Sequence, residues 1–152
     1  MNRANDVILL VEDNPSDEKL TLLAFKNCGV RNEIVVARDG AAALDYLLGT
    51  GLHAANGAPP LPRVVLLDLK LPKVDGLDVL RRIREKERTK CLPVVVLTSS
   101  RQDEDLIQSY SEGANAYVRK PVDFAVFAEA ARTIATFWLV LNEAAPTQVI
   151  PS

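Results

Sequence analysis

Histidine is nearly absent from this chain: His53 is the single one in 152 residues. A serine or cysteine nucleophile paired with a histidine base, or a polyhistidine metal site, is therefore close to excluded. The two cysteines, Cys28 and Cys91, are too few for a disulfide framework or a zinc cage. They read as free thiols of a reducing cytoplasm. No uninterrupted apolar run reaches the roughly 18 residues of a membrane span. Met1-Asn2-Arg3-Ala4-Asn5-Asp6 lacks the charged, apolar and cleavage regions of a signal peptide. A surplus of basic charge is missing as well. Eighteen Lys and Arg against twenty Asp and Glu leave a net charge of −2, which argues against nucleic-acid binding through a basic face. Neither a membrane nor a nucleic acid is an expected partner.

What is present is an ordinary packed-domain composition, 48% hydrophobic and 25% charged, at a length that suits one domain. Short apolar, β-branched runs at 7–11, 34–37, 64–67, 94–97 and 116–118 predict strands. Each is followed by a helical pattern. Asn14 can cap a helix that has Pro15 at its first position and runs to Cys28. Further helices are predicted over 41–48, after the Asp75-Gly76 turn (Leu77, Leu80, Ile83), over 102–112, and from Asp123 onward. Five such units give an α/β doubly wound parallel sheet of five strands with five helices, and the flavodoxin-like order 2-1-3-4-5 leads. The Gly- and Pro-rich stretch 49–62 is longer than a usual connection and predicts a surface excursion, with His53 solvated inside it. The domain is expected over 1–143, with 144–152 a tail and no residues left for an output domain.

In such a sheet ligands bind beyond the carboxyl ends of the strands, where the order reverses. The strand ends there are Glu12 and Asp13 on one side and Asp68 on the other. Three converging carboxylates repel unless a cation or proton intervenes, and an all-oxygen set suits Mg²⁺ better than zinc. Three acids alone could equally form an accidental acidic rim. Two further strand ends shift that balance: Thr98-Ser99-Ser100 places a hydroxyl on the same edge, and Arg119-Lys120-Pro121 places an ammonium there. Carboxylates, a hydroxyl and a lysine are the parts needed to carry a phosphoryl group on an aspartate.

Val11-Glu12-Asp13, Leu66-Leu67-Asp68-Leu69-Lys70-Leu71-Pro72, Asp75-Gly76, Leu97-Thr98-Ser99 and Tyr117-Val118-Arg119-Lys120-Pro121 occur in this order. In these motifs the chain resembles the receiver domains of two-component response regulators, from about Asp6 to Asn142. The resemblance implies Asp68 as phosphoacceptor, Lys120 as its ion-pair partner, and Thr98 and Tyr117 as the switch pair. It implies Mg²⁺ held by Asp13, Asp68 and the Lys70 backbone carbonyl, with Glu12 acting through water, and a cis peptide bond before Pro121. Lys70 and Ser100 fall where receivers tune attack of water on the phosphoryl group, so its lifetime does not transfer. The long loop and the Phe137-Trp138-Leu139 ending resemble the stand-alone regulators of phytochrome-type histidine kinases. The implied role is cytoplasmic, with the chain catalysing only its own phosphorylation and dephosphorylation. Rival readings are a phosphorelay shuttle or phosphate sink, a motility-type receiver, a flavin-binding module of the same topology, and a metal-dependent phosphatase. The final helix is apolar around most of its circumference, with Phe124, Phe127, Ala131, Ile134, Trp138 and Leu141 in one stripe. That excess predicts a homodimer through helix 4, strand 5 and helix 5, with Phe137 and Trp138 in the interface.

Overall fold

The computed structural model describes residues 6–51 and 59–145. Strands β1 (Ile8–Val11), β2 (Ile34–Ala37), β3 (Val64–Leu67), β4 (Val94–Thr98) and β5 (Ala116–Arg119) alternate with helices α1 (Pro15–Asn27), α2 (Gly40–Leu48), α3 (Gly76–Glu85), α4 (Asp103–Ser111) and α5 (Phe124–Ala135). The sheet is parallel throughout, in the order β2-β1-β3-β4-β5. The three inner strands are buried along their whole length and the two edge strands only partly. Their near-continuous Val, Ile and Leu follow from burial on both faces.

Alternation along the strands divides the core in two. Ile8, Leu10, Val64, Leu66, Val95 and Leu97 face α1 and α5, where they meet Phe25, Phe127 and Ile134. Leu9, Val11, Val65, Leu67 and Val94 face α2 and α3 and meet Leu44, Leu47, Val79, Leu80 and Ile83. The Asn14 cap read from the sequence is in place, and the structure adds Asp39 as the cap of α2. Asn14 Oδ1 accepts from the backbone N–H of Ser16 and Asp17, and Asp39 Oδ1 accepts from Ala42 N–H at 2.7 Å.

The last helix departs from its predicted form. After α5 the chain continues as a π-helical segment, Thr136–Leu141, in which Asn142 N–H donates to the Phe137 carbonyl. The wider turn advances the core position by five residues, so Leu139 follows Ile134 inward and Leu141 is exposed. The predicted stripe ending in Trp138 and Leu141 is thus shifted. Trp138 is half-buried against the core, whereas Phe137 and Val140 face outward. The Arg63 guanidinium donates to the carbonyls of Trp138 and Asn142, satisfying groups that a helix end leaves open. Phe124–Leu141 is also long and apolar enough to cross a membrane. Here Phe127, Ala131, Ile134 and Leu139 pack on the sheet instead.

His53 and half of the 49–62 stretch, like the tail from 146, lie outside the described residues. Before that gap, Gly49 ends α2 in the left-handed conformation (φ 69°) that glycine adopts freely. After it, the Arg88 guanidinium donates to the Leu47 and Pro59 carbonyls and ties α2 to the returning chain.

Candidate functional site

Each side chain singled out at a strand end is placed by the sheet ladder extended one residue further. Glu12 N–H donates to the Ala37 carbonyl, Asp68 N–H to Val11, and Lys120 N–H to Thr98. Register in a parallel sheet therefore sets Glu12, Asp68, Thr98 and Lys120 side by side on one edge. Gly76 allows the loop after Asp68 to fold tightly under α3. A Cβ there would stand 2.5 Å from the Asp68 carbonyl oxygen and the Leu69 Cα.

Both oxygens of Asp68 are occupied. Oδ1 accepts from the Thr98 hydroxyl at 3.1 Å and from Lys70 N–H at 3.2 Å. Oδ2 accepts from the Lys120 ammonium at 3.0 Å. That ammonium also donates to Glu12 Oε1 and, at 3.0 Å, to Asp17 Oδ2. One buried cation thus serves three carboxylates. Burial pushes Glu12 up to about 7, with Asp68 adding to the effect and Lys120 opposing it. Burial alone would lower Lys120, but the carboxylates of Glu12, Asp68 and Asp17 outweigh it and hold the ammonium charged.

Asp17 is the residue that sequence reasoning missed. It sits in the first turn of α1, where an acid is usual for reasons of the helix dipole alone, so its presence carried little signal. Oxygens of Glu12, Asp17 and Asp68 lie within 4.8 Å of one another, close enough to share a metal ion. An all-carboxylate set of this kind fits a hard divalent cation. Asp13 is exposed and outside that trio.

Other expected residues fall as follows. The Lys70 side chain is exposed. The Ser100 hydroxyl is turned to Asp105 of α4 at 2.6 Å and accepts from Gln102 N–H. Tyr117 is half-buried on β5, and its hydroxyl is buried with no hydrogen-bond partner among the described residues. The bond before Pro121 is a correction: no cis peptide occurs among the described residues. Trans is favoured by about 0.5–1 kcal/mol before proline, and Lys120 reaches all its carboxylates without the rarer isomer.

The model of the response regulator receiver domain matches residues 8–132. The chain belongs to that family. A curated relative of this receiver, the probable methanogenesis regulatory protein FilR2 of Methanothrix harundinacea, is 47% identical over 136 residues, covering 90% of this chain and 85% of its own. Among solved structures, the receiver is similar to the bacteriophytochrome response regulator AtBRR, with 52% identity, a TM-score of 0.73, and coverage of 93% and 100%. The phosphorylated cyanobacterial phytochrome response regulator RcpA aligns at TM-score 0.85 and 36% identity, covering 94% and 100%. The Mn²⁺-bound form of response regulator Rcp1 aligns at TM-score 0.83 and 36% identity, covering 93% and 99%. The receiver shares the fold and order of these proteins, and its acidic edge is of a kind that takes a divalent metal.

Proposed function

We propose that this receiver is a cytoplasmic response regulator that accepts a phosphoryl group on Asp68 from a phosphohistidine of a partner histidine kinase. The carrying observation is Asp68 itself: a buried carboxylate with a hydroxyl, a backbone N–H and an ammonium already arrayed on its two oxygens. An Asp68 oxygen would attack phosphorus in line, and the N–P bond would break with its electron pair returning to the donor imidazole. Lys120 and the Thr98 hydroxyl stand where they can bond the transferred oxygens. Asp68 and Glu12, with Asp13 and the Lys70 carbonyl by resemblance, would hold Mg²⁺, which when bound supplies charge neutralisation. Signalling would follow from changed protein contacts, with Thr98 and Tyr117 as the switch. Support for a phytochrome-type kinase comes from the two relatives whose names carry that sensor.

The same reading includes a homodimer through α4, β5 and α5. It is supported by the outward Val126, Phe137, Val140 and Leu141, together with Ile107 and Tyr110 of α4.

The test is phosphotransfer from a radiolabelled bacteriophytochrome-type kinase in Mg²⁺, with beryllofluoride as a phosphoryl mimic. Wild type is expected to be labelled and to bind the mimic, and Asp68→Asn to do neither. Undiminished binding by Asp68→Asn would remove the acceptor assignment. Labelling by other kinase classes but not by this one would remove only the sensor class.

A further inference from the structure

Lys120 has three N–H donors and no more. In this structure all three are spent, on Glu12, Asp17 and Asp68. A phosphoryl group arriving on Asp68 brings three strong acceptor oxygens beside an ammonium with no donor free. The bond to Asp68 passes to one of those oxygens, and for the ammonium to bond a second one, Glu12 or Asp17 has to release it.

The three carboxylates are unequal in what that loss costs. The Glu12 side chain is 2% exposed, so without Lys120 it becomes an unpaired buried charge. Asp68, at 10%, is the residue modified and stays beside the lysine through its own phosphoryl group. The Asp17 side chain is 35% exposed, so water can take the place of the ammonium. Its position in the first turn of α1 also puts a freed carboxylate at the favourable end of the helix dipole. The turn that presents it is anchored independently of Lys120. Asp17 N–H donates to Asn14 Oδ1 at 3.1 Å, and the Asp17 carbonyl accepts from the Thr21 hydroxyl at 2.8 Å.

We propose that Asp17 is the releasable counter-ion of Lys120: it holds the ammonium in the unphosphorylated receiver and yields it to the phosphoryl group. Asp17 is a positioning residue, since it acts through Lys120 and does not touch the reacting atoms. By competing for the lysine, it sets how readily the receiver takes and keeps a phosphoryl group. The inference rests on Asp68 being the acceptor.

The experiment compares wild type with Asp17→Asn in saturating Mg²⁺, titrating beryllofluoride and following the ¹⁵N resonance of the Lys120 ammonium. Asp17→Asn is expected to bind beryllofluoride about tenfold tighter, the scale of one partly screened charge at close range. The lysine resonances of the two proteins should differ without beryllofluoride and converge with it, because Asp17 no longer holds the ammonium in the bound state. A merely structural role for Asp17 would not produce that convergence. Unchanged affinity, or bound-state resonances as far apart as the free ones, would overturn the proposal. So would a loss of Mg²⁺ affinity of about tenfold or more in Asp17→Asn, which would make Asp17 a metal ligand. If wild type itself binds no beryllofluoride, or Asp68→Asn binds it equally, the acceptor reading fails and Asp17 falls with it. Binding that depends on Asp68 but ignores Asp17 overturns the Asp17 assignment alone.

Discussion

Lys120 and Asp17 are 103 positions apart in the chain, yet their side chains meet at 3.0 Å. The contact closes α1 onto the end of β5 across the same edge that carries Asp68. Lys120 therefore occupies, with its single charge, the centre of a carboxylate cluster that would otherwise repel itself.

Removing that charge is expected to weaken the fold. Lys120→Ala should lose about 3 kcal/mol at pH 8, the lower end of the cost of breaking a buried pair. The loss should be smaller at pH 6, because Glu12, raised by burial and no longer opposed by Lys120, then takes a proton and needs no partner. Mg²⁺ should bind this variant at least as well as wild type and restore part of its stability by mass action. Urea midpoints at both pH values, with and without Mg²⁺, check each statement.

Metal affinity of the wild type should itself depend on pH. A carboxylate holds a cation in its deprotonated form, and the raised Glu12 is protonated below about 7. Mg²⁺ affinity is expected to fall as pH drops through that value, with proton release on binding between pH 6 and 7. Calorimetry in buffers of different ionisation enthalpy measures the released protons directly. Affinity that is flat between pH 6 and 8 would contradict a role for Glu12 near the metal.

A second pH effect concerns the start of α2. The Ala42 N–H bond to Asp39, with Lys73 3.4 Å away, lowers this carboxyl below its usual value of 3.8. The charged form is the one favoured by folding, so the stabilisation is present above 3.8 and is lost as pH falls through the folded value. Asp39→Ala is expected to cost about 1 kcal/mol at pH 7, the usual worth of such a cap. The gap to wild type should narrow toward pH 3 in denaturation curves.

The π-helical end separates two neighbouring aromatics that the sequence places together. Phe137 is 46% exposed, whereas Trp138 packs on the core with its ring at 4.8 Å, edge to face with Phe137. If α5 pairs with its own copy, Phe137→Arg should convert a dimer of twice the chain mass into a folded monomer. Trp138→Arg should instead lower the melting temperature. Light scattering and thermal melts of the two variants decide the matter, and a wild type that is monomeric with and without beryllofluoride removes the dimer.

The order of elements, the Asn14 cap and the strand ends carrying Glu12, Asp68, Thr98 and Lys120 were legible because they depend on short-range signals. Apolar β-branched runs mark buried strands, Asn14-Pro15 marks a helix start, and parallel register then brings the strand ends to one edge whatever the loops do. Asp17 was not legible, since an acid in a first helical turn has a sufficient local reason to be there. Only the packing of α1 against α5, which follows β5, brings it to Lys120. The same holds for the end of α5. At 100° per residue Leu141 belongs to the inward stripe, but tertiary packing of Leu139 and the Arg63 bonds to the Trp138 and Asn142 carbonyls accompany a π turn that moves it out. Local hydrophobic pattern determined which segments are buried. Which charge meets which charge, and which face of the last helix remains open, were decided by contacts between segments distant in the chain, whose energies no local window contains.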